Sequence, residues 1–407
     1  MNSSFELPLF LLAAFLLPYL SCILLLGLPL LTVEVAVGQA FQTGAATAWL
    51  QLAPCGARAL GFAALTLAAI VNVYYIVVIA WSGVYLLTTA TLGLEGVISG
   101  SCDNVWNSAN CTESYAATVL NRTLKSPEEE FFRRNVLGAE RFEFESSTSS
   151  MESLQPGLVF TLLLSWLLVF VILVRGARSI RCANLLTGIL PPLAMIVFSV
   201  LALFLPGAFS GICNYLSPRF YQIYSTEAWM DAAKQVLFSY GLGLGALTAL
   251  GSYRRADSGR GQVGARFGRH LKALVVAHTL VGLVTVVGFY ALAGHLMAVE
   301  GGVAPAVRHL RSTGAIFVLV PRALAAGISG GASSLWATAF YALIFFLGLG
   351  SQAITVEGVV LALEDVLFGG DSNSAGRKFC VKRRAATLAA VILPSFALGL
   401  ILVKRVS

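Results

Sequence analysis

The stretch 228-AWMDAAKQVLFSYGLGLGALTALGSY-253 is long enough for a membrane-spanning helix, but three glycines in SYGLGLG interrupt its middle. A glycine-rich break frees backbone N–H and C=O groups, which is costly in the hydrocarbon core of a bilayer. Such breaks persist where the freed groups line a site, because half-helix ends direct their dipoles toward ions and carboxylates. The residues alone leave a second interpretation open, a glycine-rich surface for close helix packing.

Long apolar blocks flank this stretch on both sides. The chain has 407 residues, of which 57% are hydrophobic and 12% charged, whereas soluble proteins carry about 25% charged residues. A membrane helix needs about 20 apolar residues, and the blocks are far longer than the roughly 10-residue strands of a membrane barrel. We therefore predict an all-α polytopic membrane protein, a single domain over residues 1–407. Its candidate spans are 7–31, 59–91, 157–174, 184–205, 228–252, 271–298, 333–365 and 385–403.

Two longer stretches, a polar one at about 92–156 and a second at about 299–332, separate some of these spans. The first holds ten acidic residues against five basic ones. It also contains two N-glycosylation sequons, at Asn110 and Asn121, which are used only on the lumenal or extracellular side. We expect both stretches to be extracellular loops. In that oxidising setting a disulfide between Cys102 and Cys111 is plausible.

Basic residues concentrate in the other loops, which is typical of the cytoplasmic side. The net charge of +7 therefore reflects membrane topology and does not indicate nucleic-acid binding. Under this topology the chain starts outside, and its last span ends outside on Lys404 and Arg405, against the positive-inside rule. We expect that a further helix precedes this sequence and that others follow it. The basic loop residues are Arg175, Arg178, Arg181, Arg254, Arg255, Arg260, Arg266, Arg269, Lys272, Arg377, Lys378, Lys382, Arg383 and Arg384.

Several stretches resemble the neurotransmitter:sodium symporter family in order and spacing. The resemblance runs from the end of the family's first helix to its ninth, as in an incomplete copy covering helices two to nine. It implies a partial LeuT-like, inverted-repeat bundle of about eight transmembrane helices, and it points to the GABA, taurine, creatine and betaine branch. The matching stretches are 15-FLLPYLSCILLLGLPLLTVEVAVGQ-39, 72-NVYYIVVIAW-81, 102-CDNVWNSANCT-112, 228–253 and 347-LGLGSQAITVEG-358.

The resemblance implies a substrate site at the break in 228–252. Phe238, Ser239 and Gly241 would face the substrate, and the phenol of Tyr75 would donate to a substrate carboxylate. Tyrosine is also common in the aromatic belt at a membrane interface. The position of Tyr75 near the middle of its span argues against that role.

The resemblance also implies ion sites. Tyr19, Gln235 and Ser239 stand at three chloride-binding positions. The family's remaining asparagine and serine are missing from 275-VVAHTLVGLV-284, which offers His278 or Thr279 instead. A histidine inside a membrane helix indicates function, although one bonded to a backbone carbonyl would be merely structural.

Sodium is the only metal ion that the resemblance implies. Its ligands would include Ser239 and, at a second sodium site on the eighth family helix, the carbonyl of Leu347 and the hydroxyl of Ser351. Gly350 replaces the aspartate of the family branch, which removes the only formal charge and should weaken sodium binding.

Three acidic residues and one tyrosine are the remaining candidate functional residues. Glu34 and Glu357 are costly to bury without partners, and by resemblance they belong to structural hydrogen-bond networks. Asp365 matches the family's inner-gate acid, and Tyr253 would support that gate. The resemblance also assigns the disulfide between Cys102 and Cys111 and a glycan in the same loop.

These features predict secondary transport of a small amino acid, amine or related neurotransmitter or osmolyte across the plasma membrane. Sodium would drive it, with chloride as a second co-transported ion, and no cofactor takes part. The sequence contains no nucleophile–base pair, metal-spaced Cys/His cluster or phosphate loop, so an enzyme is not expected. The expected partners are the lipid bilayer and the substrate, and oligomers with related transporters are compatible with this role. One alternative is a non-transporting, truncated or degenerate family member that acts through assembly with another membrane protein. An ion channel is disfavoured because no filter motif is present.

Overall fold

The structure is a computed structural model, and it is predominantly helical, as predicted. Its helices, in chain order, are α1 (Leu11–Cys22), α2 (Leu28–Phe41), α3 (Ala45–Leu52), α4 (Ala57–Thr91), α5 (Pro127–Glu130), α6 (Pro156–Leu173), α7 (Ala177–Asn184), α8 (Leu190–Ala202), α9 (Ala208–Leu216), α10 (Thr226–Ser239), α11 (Ala246–Ser252), α12 (Val263–Val299), α13 (Gly314–Gly327), α14 (Gly331–Phe368) and α15 (Val381–Val406). The residues that the structure describes are 11–52, 57–114, 117–118, 123–138, 155–216, 224–253, 263–300, 314–328, 331–368 and 381–406.

Seven helical segments among the described residues are long and apolar enough to cross a membrane. The fifth predicted span, 228–252, is not among them because it is divided: α10 ends at Ser239 and α11 begins only at Ala246. The first span reaches Phe41, ten residues beyond its predicted end, because the helix continues past its apolar block. The seven segments are Phe15–Phe41, Ala59–Thr91, Pro156–Leu173, Ser179–Ala202, Gly268–Val299, Gly331–Phe368 and Val381–Lys404.

Two of these segments contain a π-helical turn just before a proline. The turn Ile23–Gly27 precedes Pro29, and the turn Leu185–Ile189 precedes Pro191. Proline has no N–H, so carbonyl groups one turn earlier lose their helical donor. A π-helical turn accommodates this loss by bonding five residues apart.

The largest core cluster lies between α4 and α14, which pack against each other along their length. Tyr85 on α4 is fully buried, and its hydroxyl donates to the carbonyl of Phe317 at 2.8 Å. The side-chain amide of Gln352 on α14 donates to the carbonyl of Asn72 on α4 at 3.1 Å. This core fixes the relative position of the two helices that carry Tyr75 and Ser351.

Glycines bring α2 and α11 into direct backbone contact. A Cβ placed at Gly38 would lie 2.0 Å from the carbonyl oxygen of Thr248. One placed at Gly251 would lie 2.4 Å from the carbonyl oxygen of Val35. Because no side chain fits at either position, the second half of the broken helix is held against α2 at backbone distance.

A buried ion cluster joins helix α13 to the loop between α4 and α6. Arg322 contacts carboxylate oxygens of Glu128 at 3.2 Å and Glu300 at 2.7 Å. Glu128 is fully buried and also accepts a hydrogen bond from Ser99. Burial alone would lower the pKa of the Arg322 guanidinium, but the two carboxylates outweigh it and raise that pKa. The arginine therefore stays charged and holds α13 in place.

The same loop contains the predicted disulfide. Cys102 and Cys111 are bonded, with their Cα atoms 5.8 Å apart. Asn110, the first sequon residue, is exposed next to Cys111. Asn121, the second, lies outside the described residues.

Replacing Arg322 with methionine should destabilise the protein strongly, because Glu128 would remain buried without its cation. Breaking a buried ion pair costs about 3–5 kcal/mol. We expect a clear fall in the apparent melting temperature of the detergent-solubilised protein.

Lys234→Met is the matched control. Lys234 pairs with Asp231 at 3.1 Å, but both side chains are more than 60% exposed, and such surface pairs contribute about 0–1 kcal/mol. Equal melting temperatures for the two variants would contradict a structural role for the Arg322 cluster.

Candidate functional site

The break between α10 and α11 has the backbone geometry that glycine permits. Gly241, Gly243 and Gly245 have φ angles of +63°, +76° and +68°, a left-handed region that other residues rarely adopt. A Cβ at Gly241 or Gly243 would meet nothing within 4 Å. Gly241 and Gly243 are therefore needed for their left-handed backbone conformation, not for close packing. The helix-packing role falls to Gly38 and Gly251, outside the break.

Glu34 on α2 holds the break in place. Its Oε1 accepts a hydrogen bond from the backbone N–H of Gly243 at 2.7 Å. Its Oε2 is buried and makes no hydrogen bond within the described part of the chain. The carboxylate thus satisfies a backbone donor that the interrupted helix has left without a partner.

A cavity of about 310 Å³ opens beside the break. All four residues predicted to contact substrate line it: Tyr75, Phe238, Ser239 and Gly241. The rings of Tyr75 and Phe238 meet edge to face with centroids 6.3 Å apart. Tyr75 and Ser351 interact through their hydroxyl groups, so α4, the break and α14 each supply one wall.

The described lining of this cavity is polar without being charged. Its polar side chains are the hydroxyls of Tyr75, Ser239, Tyr240, Ser351 and Thr355, and the rest is aliphatic, aromatic or glycine. The carbonyl end of α10 faces the break and carries a partial negative charge. Such a cavity suits a small, partly apolar molecule whose charges are met by hydroxyls, helix ends or bound ions.

The predicted chloride residues cluster only in part. Tyr19 and Ser239 interact through their hydroxyls. Gln235 lies one helical turn before Ser239 on the same face of α10, and its side chain is exposed.

The segment 275–284 supplies two further side chains at the break. Nε2 of His278 lies 2.7 Å from Oγ of Ser239. The Tyr240 hydroxyl lies 3.1 Å from Oγ1 of Thr279. His278 therefore bonds to a side-chain hydroxyl at the break, and no hydrogen bond from its ring to a backbone carbonyl is found among the described residues.

The predicted sodium residues lie on two sides of the cavity. On α14, Oγ of Ser351 donates to the carbonyl of Leu347 at 3.3 Å. Ser239 lies across the cavity on α10. Leu347, Gly350 and Ser351 also line a second, smaller cavity of about 120 Å³. Ser351 thus belongs to both cavities.

The residues predicted for an inner gate form two separate contacts. The Tyr253 hydroxyl donates to Glu357, which is fully buried and also pairs with Arg384. Arg384 reaches Glu364 as well, at 3.1 Å. Asp365 instead accepts a hydrogen bond from the backbone N–H of Gly44, at 2.5 Å.

Sequence reasoning did not assign Arg384 a role beyond that of a basic loop residue. The structure makes it the cation of a buried cluster. The available signal was its position at the start of the last span, where a basic residue can turn inward toward an intramembrane acid.

Comparisons with known proteins match nearly the whole chain. A model of the sodium:neurotransmitter symporter family matches residues 13–406. The sodium- and chloride-dependent GABA transporter 2 of Rattus norvegicus is 32% identical over 397 residues, which cover 96% of this chain and 61% of that protein. The sodium- and chloride-dependent creatine transporter 1 of Bos taurus is 31% identical over 367 residues, 87% of this chain and 54% of that protein.

The fold has a close match among solved structures. The crystal structure of MhsT in complex with L-phenylalanine aligns with a TM-score of 0.70 at 20% sequence identity, covering 97% of this chain and 73% of that one. The predicted LeuT-like architecture is therefore confirmed at the level of the fold. The chain spans less than two thirds of the length of the curated relatives it matches.

The pairing of Glu34 with Gly243 predicts a graded response to substitution. Glu34→Leu leaves a backbone N–H unsatisfied and should cost about 1–3 kcal/mol of stability. Glu34→Gln keeps an acceptor oxygen and should cost less. Thermal unfolding in detergent compares the two variants, and equal losses would show that the hydrogen bond to Gly243 does not hold the break.

Proposed function

Because the chain belongs to the sodium:neurotransmitter symporter family, we propose that it carries out sodium-coupled, chloride-dependent transport of a small amino acid, amine or related osmolyte across the plasma membrane. The cavity of about 310 Å³ at the helix break is the observation that carries this proposal. The family consists of symporters, which agrees with the prediction that the chain is not an enzyme.

The proposed substrate site uses both the polar and the apolar groups that line the cavity. The phenol of Tyr75 would donate to a substrate carboxylate. The ring of Phe238 would cover the apolar part, and the backbone at Ser239 and Gly241 would bind the remaining polar group. This arrangement is supported by the convergence of these four residues on one cavity.

The class of substrate follows from the uncharged lining. A cavity without a described carboxylate or cation favours a molecule that carries its own opposite charges. Relatives named for GABA and creatine, which both combine a carboxylate with a cationic group, support a small zwitterion.

Ion coupling would act through the same helices. Sodium bound at Ser239, and at a second site by Leu347 and Ser351, would favour the arrangement of α10 and α14 that also binds substrate. Chloride bound at Tyr19, Gln235 and Ser239 would balance charge beside it. Binding of one ligand then strengthens binding of the other by the same factor, which is the thermodynamic basis of coupled transport.

The cytoplasmic side would be closed by Asp365 and by the cluster around Glu357. Tyr253 and Arg384 hold that cluster at the end of the broken helix. Opening toward the cytoplasm would require these buried charges to separate or to move together.

A second candidate function is assembly without transport. Gly350 stands where the family branch carries an aspartate, and His278 occupies the stretch that should supply an asparagine. Both substitutions fall at proposed ion sites. If they abolish ion coupling, the chain would act only through contact with another membrane protein.

Uptake into proteoliposomes separates the two candidates. Vesicles holding the full chain should show sodium-dependent uptake of GABA, creatine, taurine or betaine. Tyr75→Phe should lower this uptake at least about tenfold, because a hydrogen bond to a charged group contributes about 1.5–3 kcal/mol. Tyr74→Phe is the control, since the neighbouring Tyr74 is 41% exposed and does not line the cavity. Absence of uptake by the unaltered chain would favour the second candidate.

The proposed orientation is tested by glycosylation. In cells that glycosylate, endoglycosidase should increase the gel mobility of the unaltered chain, and Asn110→Gln should reduce that shift. The double variant Asn110→Gln, Asn121→Gln should show none. An unaltered chain whose mobility never shifts would place the 92–156 loop on the cytoplasmic side.

A further inference from the structure

The smaller cavity, of about 120 Å³, lies between α14 and the π-helical turn Leu185–Ile189. Its oxygen-bearing side chains are those of Asn184, Thr187 and Ser351. No acidic or basic side chain lines the described part of this cavity. It therefore offers neutral oxygens in a largely apolar setting.

The carbonyl of Thr187 has no donor within its own helix. The residues four and five positions later are Pro191 and Pro192, and neither has an N–H. The N–H of Leu190, three positions later, bonds to the carbonyl of Leu185. The hydroxyl of Thr187 donates to Ala183 at 3.1 Å and so does not satisfy its own carbonyl. A carbonyl freed at membrane depth needs a partner from outside the helix.

Gly350 lets this carbonyl reach α14. A Cβ placed at Gly350 would lie 2.9 Å from the carbonyl oxygen of Thr187 and 3.0 Å from its Cβ. The Thr187 oxygen thus occupies the space that a side chain at position 350 would enter. The family branch has an aspartate at this position, so a backbone oxygen from the neighbouring helix stands close to where a carboxylate would begin.

Two further oxygens lie on the same side of α14. They are the carbonyl of Leu347 and Oγ of Ser351, which are 3.3 Å apart. Close helix packing alone would explain the glycine. It would not explain an open space beside it, or two successive prolines that leave the adjacent Thr187 carbonyl without a helical donor.

We propose that sodium binds in this smaller cavity, with the Thr187 carbonyl as a ligand beside Leu347 and Ser351. The inference rests on the proposed sodium coupling and changes its chemistry, because the carboxylate is replaced by a backbone oxygen of α7–α8. Sodium, like other hard cations, prefers oxygen ligands. The carbonyl rings of K⁺ channels show that neutral backbone oxygens can replace the hydration shell of an alkali cation.

Sodium binding to the purified full chain in lipid nanodiscs tests this site directly, with ²²Na⁺ as the probe. Pro191→Ala restores an N–H that can bond to the Thr187 carbonyl and withdraw it. Gly350→Ala inserts a Cβ against that carbonyl. Each should raise the sodium Kd by about tenfold, equivalent to about 1.4 kcal/mol.

Two variants control for proline and glycine replacement as such. Pro394→Ala lies on an exposed position of α15, and a Cβ at Gly282 would meet nothing within 4 Å. Neither Pro394→Ala nor Gly282→Ala should change the sodium Kd. Thermal unfolding without sodium shows whether each variant keeps the fold.

The possible results distinguish failure of the proposed sodium site from failure of the proposed transport function. Sodium binding that weakens in Pro191→Ala and Gly350→Ala alone supports the site, even if vesicles show no uptake. Sodium binding that is equal in all folded variants overturns the site and leaves sodium-coupled transport standing. An unaltered chain that binds no sodium overturns both.

Discussion

The constraint on which this structure depends is that backbone polar groups inside a bilayer must find partners within the protein. Continuous helices meet it along most of their length. Where α10 stops at Ser239, the N–H of Gly243 is satisfied by the carboxylate of Glu34 on a different helix. The cavity of about 310 Å³ lies beside this break. The glycines that permit it supply only backbone conformation, whereas Glu34 supplies the missing hydrogen-bond acceptor.

The same constraint explains why the polar features occur in layers. Charged groups are buried in clusters at the two ends of the bundle, around Arg322 and around Glu357 with Arg384. Between them, the cavity at the break is lined by hydroxyls and freed backbone. In these two clusters each charge lies where an opposite charge reaches it, whereas the cavity lining is left to neutral dipoles that an ion or a zwitterion can organise. Glu34, beside the cavity, meets a backbone N–H instead.

Sequence predicted the spans and the break well, because apolar length and glycine spacing are local properties. Tyr75 and Phe238, both predicted to contact substrate, line one cavity. Sequence alone could not pair Glu34 with Gly243, which lies 209 residues away. The partner of Tyr253 was likewise set by packing, since Glu357 and not Asp365 meets its hydroxyl. The contact between Gly350 and the carbonyl of Thr187, four residues before Pro191, is likewise set by packing between distant parts of the chain.

The glycine contacts between α2 and α11 have a mechanical consequence. Where backbones touch without intervening side chains, there are no rotamers to absorb a shift. Sliding of Gly38 past Thr248 would break the fit that Gly251 makes with Val35. Helices α2 and α11 therefore behave as one rigid unit. Helix α10, on the other side of the glycine break, is the part that can change its angle relative to this unit. A rotation of α10 about the glycine break would move Phe238 and Ser239 relative to a stationary Tyr75 on α4. The angle of this half-helix therefore sets the width of the cavity.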